Sequence, residues 1–442
     1  MFLIMEEPSV KVCNGTFSFS PPLIVTSMFV ESNLDSSYRR AIDLSGTSLF
    51  RRTRDCPSGI FPSKYLRVPI RVSLAPTARE SGLASSRGGT PKQVLKEGWS
   101  VVLFGKDIAI DLGTANTLVS IKGQGIVFSE PSVVALDTKT EEVVAVGSAA
   151  KRMIGRTPAT IATVEPLKEG VISDFAVTEK MIAHLIRRAQ RRERRRRPYR
   201  SLVGPRVVLC VPSGATGVEL RAVREAAESA GARRAYTIEE PLAAAIGVGL
   251  PVENPEGSMV VDVGGGTIEV AVISLGDIVT KASVRIAGNE MDRAIASFIQ
   301  REYKMAVGTQ TSERLKIELG NALPLEKQES AEVRGRDLLT GLPKTVVITS
   351  EEIRRAISFP VEAIVGAVKH TLDRTPPELA SDIIERGMVL AGGGALLRNL
   401  DARLRREMGV PVHVAHDPLG CVATGSERYL EELGRLSRTP PG

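Results

Sequence analysis

Aromatic residues are scarce in this chain: Phe, Tyr and Trp together make up 4% of its 442 residues. Its cores must therefore be aliphatic. The four cysteines, Cys13, Cys56, Cys210 and Cys421, lie far apart with no CxxC spacing, which argues against a disulfide framework or a cysteine zinc site and fits a reducing cytosol. Histidine is equally rare; His413 and His416 are three apart, but no further histidine or cysteine nearby completes a metal set. No apolar run reaches the length of a membrane span, and the N-terminus lacks the charged-then-apolar order of a signal peptide. The expected location is the cytoplasm, unless something peripheral attaches the protein to a surface. No GxxxxGKS or GxxxxGKT occurs, so a P-loop ATPase is excluded.

What is present is ordinary for a protein of two or more domains: 43% hydrophobic and 25% charged residues. The formal charge of +7 is uneven. RRAQRRERRRRPYR, residues 187 to 200, sets a dense arginine run against Glu193 alone. Such a run points to an anionic partner, nucleic acid or lipid headgroups, with a solvated helix end as the plain alternative.

Residues 1 to about 100 mix Ser, Pro, Arg and short apolar pieces with little sustained period, and SGLASSRGGTPKQ reads as disordered linker. At the junction, Lys96, Glu97 and Gly98 can be encoded by a run beginning AAGGAGG, a ribosome-binding sequence, shortly before valine codons able to serve as GTG starts. The leader is therefore expected to be upstream sequence translated from a start chosen too early. From Lys106 onward, strands alternate with helices.

Two stretches in the ordered part share one layout. IAIDLGTANTLVSI (108 to 121) runs an apolar strand into Asp111, a turn containing Gly113 and Asn116, and a second apolar strand. SMVVDVGGGTIEVAVI (258 to 273) repeats it with Asp262, Gly264, Gly265, Gly266 and Thr267. A third stretch, MVLAGGGALLRNL from Met388, runs a strand into three glycines, with a helix pattern following. Glycine turns let backbone N–H groups approach phosphate, and Thr or Asn side chains add donors. Carboxylates cannot touch phosphate directly, so a cation must lie between them. Magnesium suits, since one or two carboxylates plus substrate phosphates usually hold it. Elsewhere, PRVVLCVPS (205 to 213) reads as a buried strand, 218 to 230 as a helix ending at Gly231, and YTIEEPLAAAIGVGL (236 to 250) as a short strand, two acids and a helix starting near Pro241. Strand hairpins followed by helices occur twice, which implies two related α/β domains facing each other across a cleft.

Together IDLGTANTLV, EPSVVA, VPSGATGVELRAV, IEEPLAAAIG, VVDVGGGTIEVAVIS, RIAGNEMD, ERLKIELG, DIIERG and LAGGGALLR resemble the actin, Hsp70 and sugar kinase superfamily, and within it the MreB/Mbl family of bacterial actins. The resemblance covers 106 to about 435. It implies an α/β, actin-like ATPase fold: two ribonuclease H-like domains around a nucleotide cleft, each with a small inserted subdomain. Domain I then spans 106 to 251 with subdomain IB near 135 to 176. Domain II spans 252 to 425 with IIB near 291 to 356, and 426 to 442 form a helix returning to domain I and a tail.

By the same resemblance, Gly113, Thr114, Ala115 and Asn116 form the first phosphate loop and Gly264, Gly265, Gly266 and Thr267 the second. Glu313 and Lys316 hold the adenosine, although residues at that spacing also make ordinary i, i+3 ion pairs. Gly392, Gly393, Gly394 and Ala395 form the adenosine turn, Asp111 and Asp262 hold Mg2+ through waters, and Glu240 with Thr267 positions the hydrolytic water for ATP. Glu240 could instead cap the helix at Pro241, and Glu239 is the weaker catalytic candidate. Tyr199, Leu202 and Val203 match the loop by which such filaments meet the membrane. The implied partners are further copies of the chain, the inner face of the cytoplasmic membrane and the wall-elongation machinery (MreC, MreD, RodZ), with no nucleic acid. Ile268 stands where the family usually has a second threonine. The alternatives are an Hsp70-like chaperone, which needs a substrate-binding domain after the ATPase, and a sugar kinase, which needs a base for a substrate hydroxyl.

Overall fold

A computed structural model describes residues 105–196 and 203–436, together with a few short strands in the first 97 residues. Residues 1–97 form a unit of their own. In it Phe2–Leu3, Val68–Arg71 and Phe29–Val30 make one small sheet, and Val10–Cys13 pairs with Thr16–Phe19. The linker and start-site readings fall on residues outside the described ones.

In the second unit two five-stranded sheets share one topology. The first has the order Arg234–Glu239, Arg206–Val211, Ile108–Leu112, Asn116–Ile121, Gly125–Pro131. Its first three strands are parallel and its last three an antiparallel meander. The second runs Val412–Val414, Met388–Ala391, Ser258–Val263, Ile268–Ser274, Asp277–Val284, with the same directions. Each acid-bearing strand is therefore the middle strand of its sheet.

Helices cover both faces of these sheets, so the central strands are buried throughout rather than alternately. Side-chain alternation still sorts them. Ile108, Ile110 and Leu112 join an outer core with the helices Phe175–Arg196 and Gly217–Ser229. Met259, Val261 and Val263 join the outer core of the second sheet, where Gly288–Tyr303 and Ser358–Asp373 pack. The helix expected over 218 to 230 is Gly217–Ser229, started by a capping box in which Thr216 and Glu219 satisfy each other's backbone N–H.

The inner faces carry smaller residues, Ala109, Cys210, Ala271 and Ala391, and meet the helices Glu240–Val248 and Cys421–Leu436 between the sheets. Those helices approach closely. A Cβ on Gly247 would collide with the Cys421 carbonyl, and one on Gly425 with that of Ala243. Small residues thus substitute for the missing aromatics, and shape fit replaces bulk.

Two small antiparallel sheets complete the unit: Val143–Val146, Val134–Asp137, Ile161–Val164, and Met305–Ala306, Ser330–Asp337, Pro343–Thr349. After Met388–Ala391 the expected helix is delayed. A 3-10 turn, Gly393–Leu396, comes first, and Leu400–Met408 follows.

Candidate functional site

Both acid-bearing middle strands end, on their C-terminal side, at a single cleft of about 390 Å³. It is lined by Asp111, Gly113 to Asn116, Glu240, Asp262, Gly264 to Thr267, Glu313, Lys316 and Gly392 to Gly394. These residues come from segments as far apart as 111 and 394, and the fold brings them together. Ala395 is the exception, buried beneath the turn rather than lining the cleft.

Register explains the convergence. Across the second sheet Ala391, Asp262, Glu269 and Ser283 are lateral partners. Across the first, Cys210, Asp111, Leu118 and Ser129 occupy the matching places. Asp111 and Asp262 are therefore pseudo-equivalent, both on the inner face. Glu269 is the departure: it stands where the first sheet has Leu118, and its Oε1 accepts from Ser283 Oγ at 2.7 Å. The hairpin pattern gave no sign of it, because the strand around it is apolar.

The hairpin tips nearly touch. A Cβ on Gly265 would meet the Ala115 side chain at 2.5 Å, and one on Gly266 the Thr114 hydroxyl at 2.5 Å. Thr114 Oγ1 also accepts from Gly170 N at 3.1 Å. Gly392 has φ +77°, and a Cβ there would run into Asp262 Oδ1, so both conformation and space require glycine.

Four acids crowd this end of the sheets, and Asp111, Asp262, Glu240 and Glu269 are 8%, 5%, 8% and 1% exposed. Burial, then the charge of Asp262, pushes Asp111 up to about 8. Burial, then Glu269, pushes Asp262 up to about 7. Glu240 is held well above the usual carboxylate range by burial, then Asp262 and Asp111. Anions packed this way call for a cation. Among the described residues no three His, Cys, Asp or Glu side chains converge as a metal cage. Two carboxylates beside glycine turns fit an ion that takes only one or two protein ligands and completes its shell with phosphates and water, as magnesium does.

Glu240 lies in the first turn of its helix, whose N-cap residue is Glu239, and no side chain caps the helix. Glu239 instead pairs with Lys281 of the second sheet at 2.6 Å. Glu313 and Lys316 do not pair with each other. Lys316 Nζ bonds Asp292 and the Gly288 carbonyl, both at 2.9 Å, and Asp292 is raised to about 6 by burial that Lys316 only partly offsets. Glu313 is held by Lys151 across the cleft. Gly288, Asn289 and Ile317 also line the cleft; they sit in RIAGNEMD and ERLKIELG, stretches that the sequence marked without giving these residues a role. Of the membrane trio, Tyr199 and Leu202 lie outside the described residues. Val203 is exposed, and its carbonyl accepts from Gly105 N at 2.9 Å, at the end of the first sheet away from the cleft. Arg187, Arg188, Arg191 and Arg192 are exposed on Phe175–Arg196. Arg188 pairs with Glu130 at 2.6 Å over the Phe128 ring.

A sequence model of the MreB/Mbl protein family matches residues 105–438. The chain belongs to the MreB/Mbl family. It is 54% identical over 335 residues to the cell shape-determining protein MreB of Escherichia coli K12, covering 75% of this chain and 95% of that one. To the cell shape-determining protein Mbl of Bacillus subtilis 168 it is 47% identical over 337 residues, covering 76% and 99%. The crystal structure of MreB5 of Spiroplasma citri bound to ADP superposes with a TM-score of 0.70 at 37% identity, covering 76% of this chain and 98% of that one. The fold is thus the actin-like one that the family resemblance implied.

The raised aspartates have a consequence for stability. A carboxyl whose folded pKa lies above its unfolded value of about 4 keeps its proton longer in the folded state, so the stability linked to it falls as pH rises from about 4 to about 8. Asp111→Asn removes that loss. The nucleotide- and metal-free variant should melt a few degrees above the parent at pH 8, with the gap closing near pH 4, as thermal denaturation across pH will show.

Proposed function

We propose that this chain is an ATP-binding and ATP-hydrolysing bacterial actin whose membrane-held filaments direct cell-wall elongation and rod shape. One observation carries the reading: two pseudo-equivalent aspartates, each beside a glycine hairpin, face each other across one cleft. Support comes from relatives named as cell shape-determining proteins and from MreB5 structures bound to ADP and to AMPPNP.

In this reading the hairpins at Gly113 to Asn116 and Gly264 to Thr267 hold the phosphates through backbone N–H groups and hydroxyls. Glu313, Lys316 and the turn from Gly392 hold the adenosine. Asp111 and Asp262 would hold magnesium, which would supply neutralisation of the phosphate charge. Phosphoryl transfer depends mostly on position and charge, so the chain need supply only an acceptor and a donor for the attacking water. Glu240 accepts, and Thr267 positions the same water from the other domain. Hydrolysis then requires a closed cleft, which assembly of further copies favours. MreC, MreD and RodZ are the expected partners in wall elongation.

The membrane contact is assigned to Tyr199, Leu202 and Val203, with the neighbouring arginines meeting anionic headgroups for about 1 kcal/mol each. A filament multiplies that weak anchor. Leu202→Ser with Val203→Ser should release filaments from anionic liposomes in co-sedimentation; unchanged binding would sink this assignment.

Glu240→Ala separates catalysis from capping. Loss of the water's acceptor should leave ATP binding and ATP-dependent pelleting in place and slow phosphate release roughly a hundredfold. Loss of a cap would cost about 1 kcal/mol and leave turnover per folded molecule intact. Near-normal release from normal filaments removes Glu240 from the mechanism, and failure of the parent to pellet with ATP removes the filament reading.

A further inference from the structure

Lys151 ends the short helix Ser148–Lys151, which sits on the first domain's side of the cleft. Its ammonium reaches both oxygens of Glu313 across the gap, at 2.9 and 2.8 Å. Gln310, one turn before Glu313 on Thr309–Leu319, donates its Nε2 to the Lys151 carbonyl at 2.9 Å. The contact is thus doubled, side chain to side chain and side chain to backbone.

Both ends are firmly based. Ser148 donates through its N and Oγ, each at 2.9 Å, to Glu130 Oε2 at the end of Gly125–Pro131, an edge strand of the first sheet. On the other side, Lys316 is already engaged with Asp292 and Gly288, as described above. Lys151 is therefore the cation that holds Glu313. A second, more exposed clasp joins Arg293 to Glu169 at 3.3 Å, again between the two domains.

We propose that Lys151 is a positioning residue for the nucleotide: it fixes the Glu313 carboxylate and latches the cleft against nucleotide release. This rests on the reading of Glu313 as an adenosine contact. Lys151 itself does not line the cleft, so it acts through Glu313 and through closure. Its side chain and that of Glu313 are 33% and 35% exposed. The latch is therefore weak enough to open in each exchange cycle and sensitive to salt.

The test follows release of a fluorescent ADP analogue from the full-length protein below its assembly concentration. Lys151→Met should speed release roughly two- to fivefold, the range expected of a partly exposed ion pair. Lys151→Arg should restore slow release. Added salt should speed release from the parent and leave Lys151→Met unaffected. Unchanged melting of Lys151→Met shows that the effect is not loss of fold, and Lys151→Gln serves as a second neutral variant. Binding with unchanged release in both neutral variants would overturn the latch and leave the nucleotide reading standing. No binding by the parent would overturn both.

Discussion

The structure is organised around a repulsion. Asp111 and Asp262 are buried at the ends of the two middle strands, and Asp262 adds to the rise that burial imposes on Asp111. Two carboxylates so placed weaken a fold unless a cation joins them. Among the described residues no lysine or arginine offsets the rise of either aspartate, and Glu240 and Glu269 add further acid. What keeps the aspartates in place is covalent and hydrogen-bonded: each sits on a strand paired on both sides, in a sheet covered on both faces. Packing elsewhere sustains a site that is unfavourable by itself.

That arrangement makes the cleft a joint as well as a pocket. The inner helices Glu240–Val248 and Cys421–Leu436 meet through glycines and alanines between the sheets, so the two halves share one apolar centre. Around it the contacts across the cleft are polar and partly exposed: Glu239 with Lys281, Lys151 with Glu313, Arg293 with Glu169. A firm centre with weak clasps at the rim permits opening without unfolding. Glu240 begins an inner helix, which ties the residue proposed for water activation to the same centre.

Local pattern made much of this legible in the sequence. Each hairpin shows its acid, its turn glycine and its apolar arms within sixteen residues, and the helix read over 218 to 230 is Gly217–Ser229. Glu240 stood out through the resemblance carried by IEEPLAAAIG, directly before Pro241, and it begins the helix that follows the strand Arg234–Glu239. Features set by register or by long-range approach stayed hidden. Glu269 lies in an apolar run, and only the pairing of Ile268–Ser274 with its neighbours turns it toward Asp262. Lys151 and Glu313 are 162 positions apart, and no periodicity links them. At Glu313 and Lys316 the spacing fitted an ordinary ion pair, whereas each takes its partner from another segment. Sequence period records which side chains face a core, not which segment lies opposite.

In the proposed function the facing aspartates need a cation to accept a nucleotide. Thermal melting of the protein with ATP, above pH 8 where both aspartates are ionised, tests it directly when run with magnesium and again with a chelator. ATP is expected to raise the melting temperature with magnesium present and to leave it unchanged with the chelator, because bare phosphates are repelled by the acids beneath them. An equal rise under both conditions would contradict it.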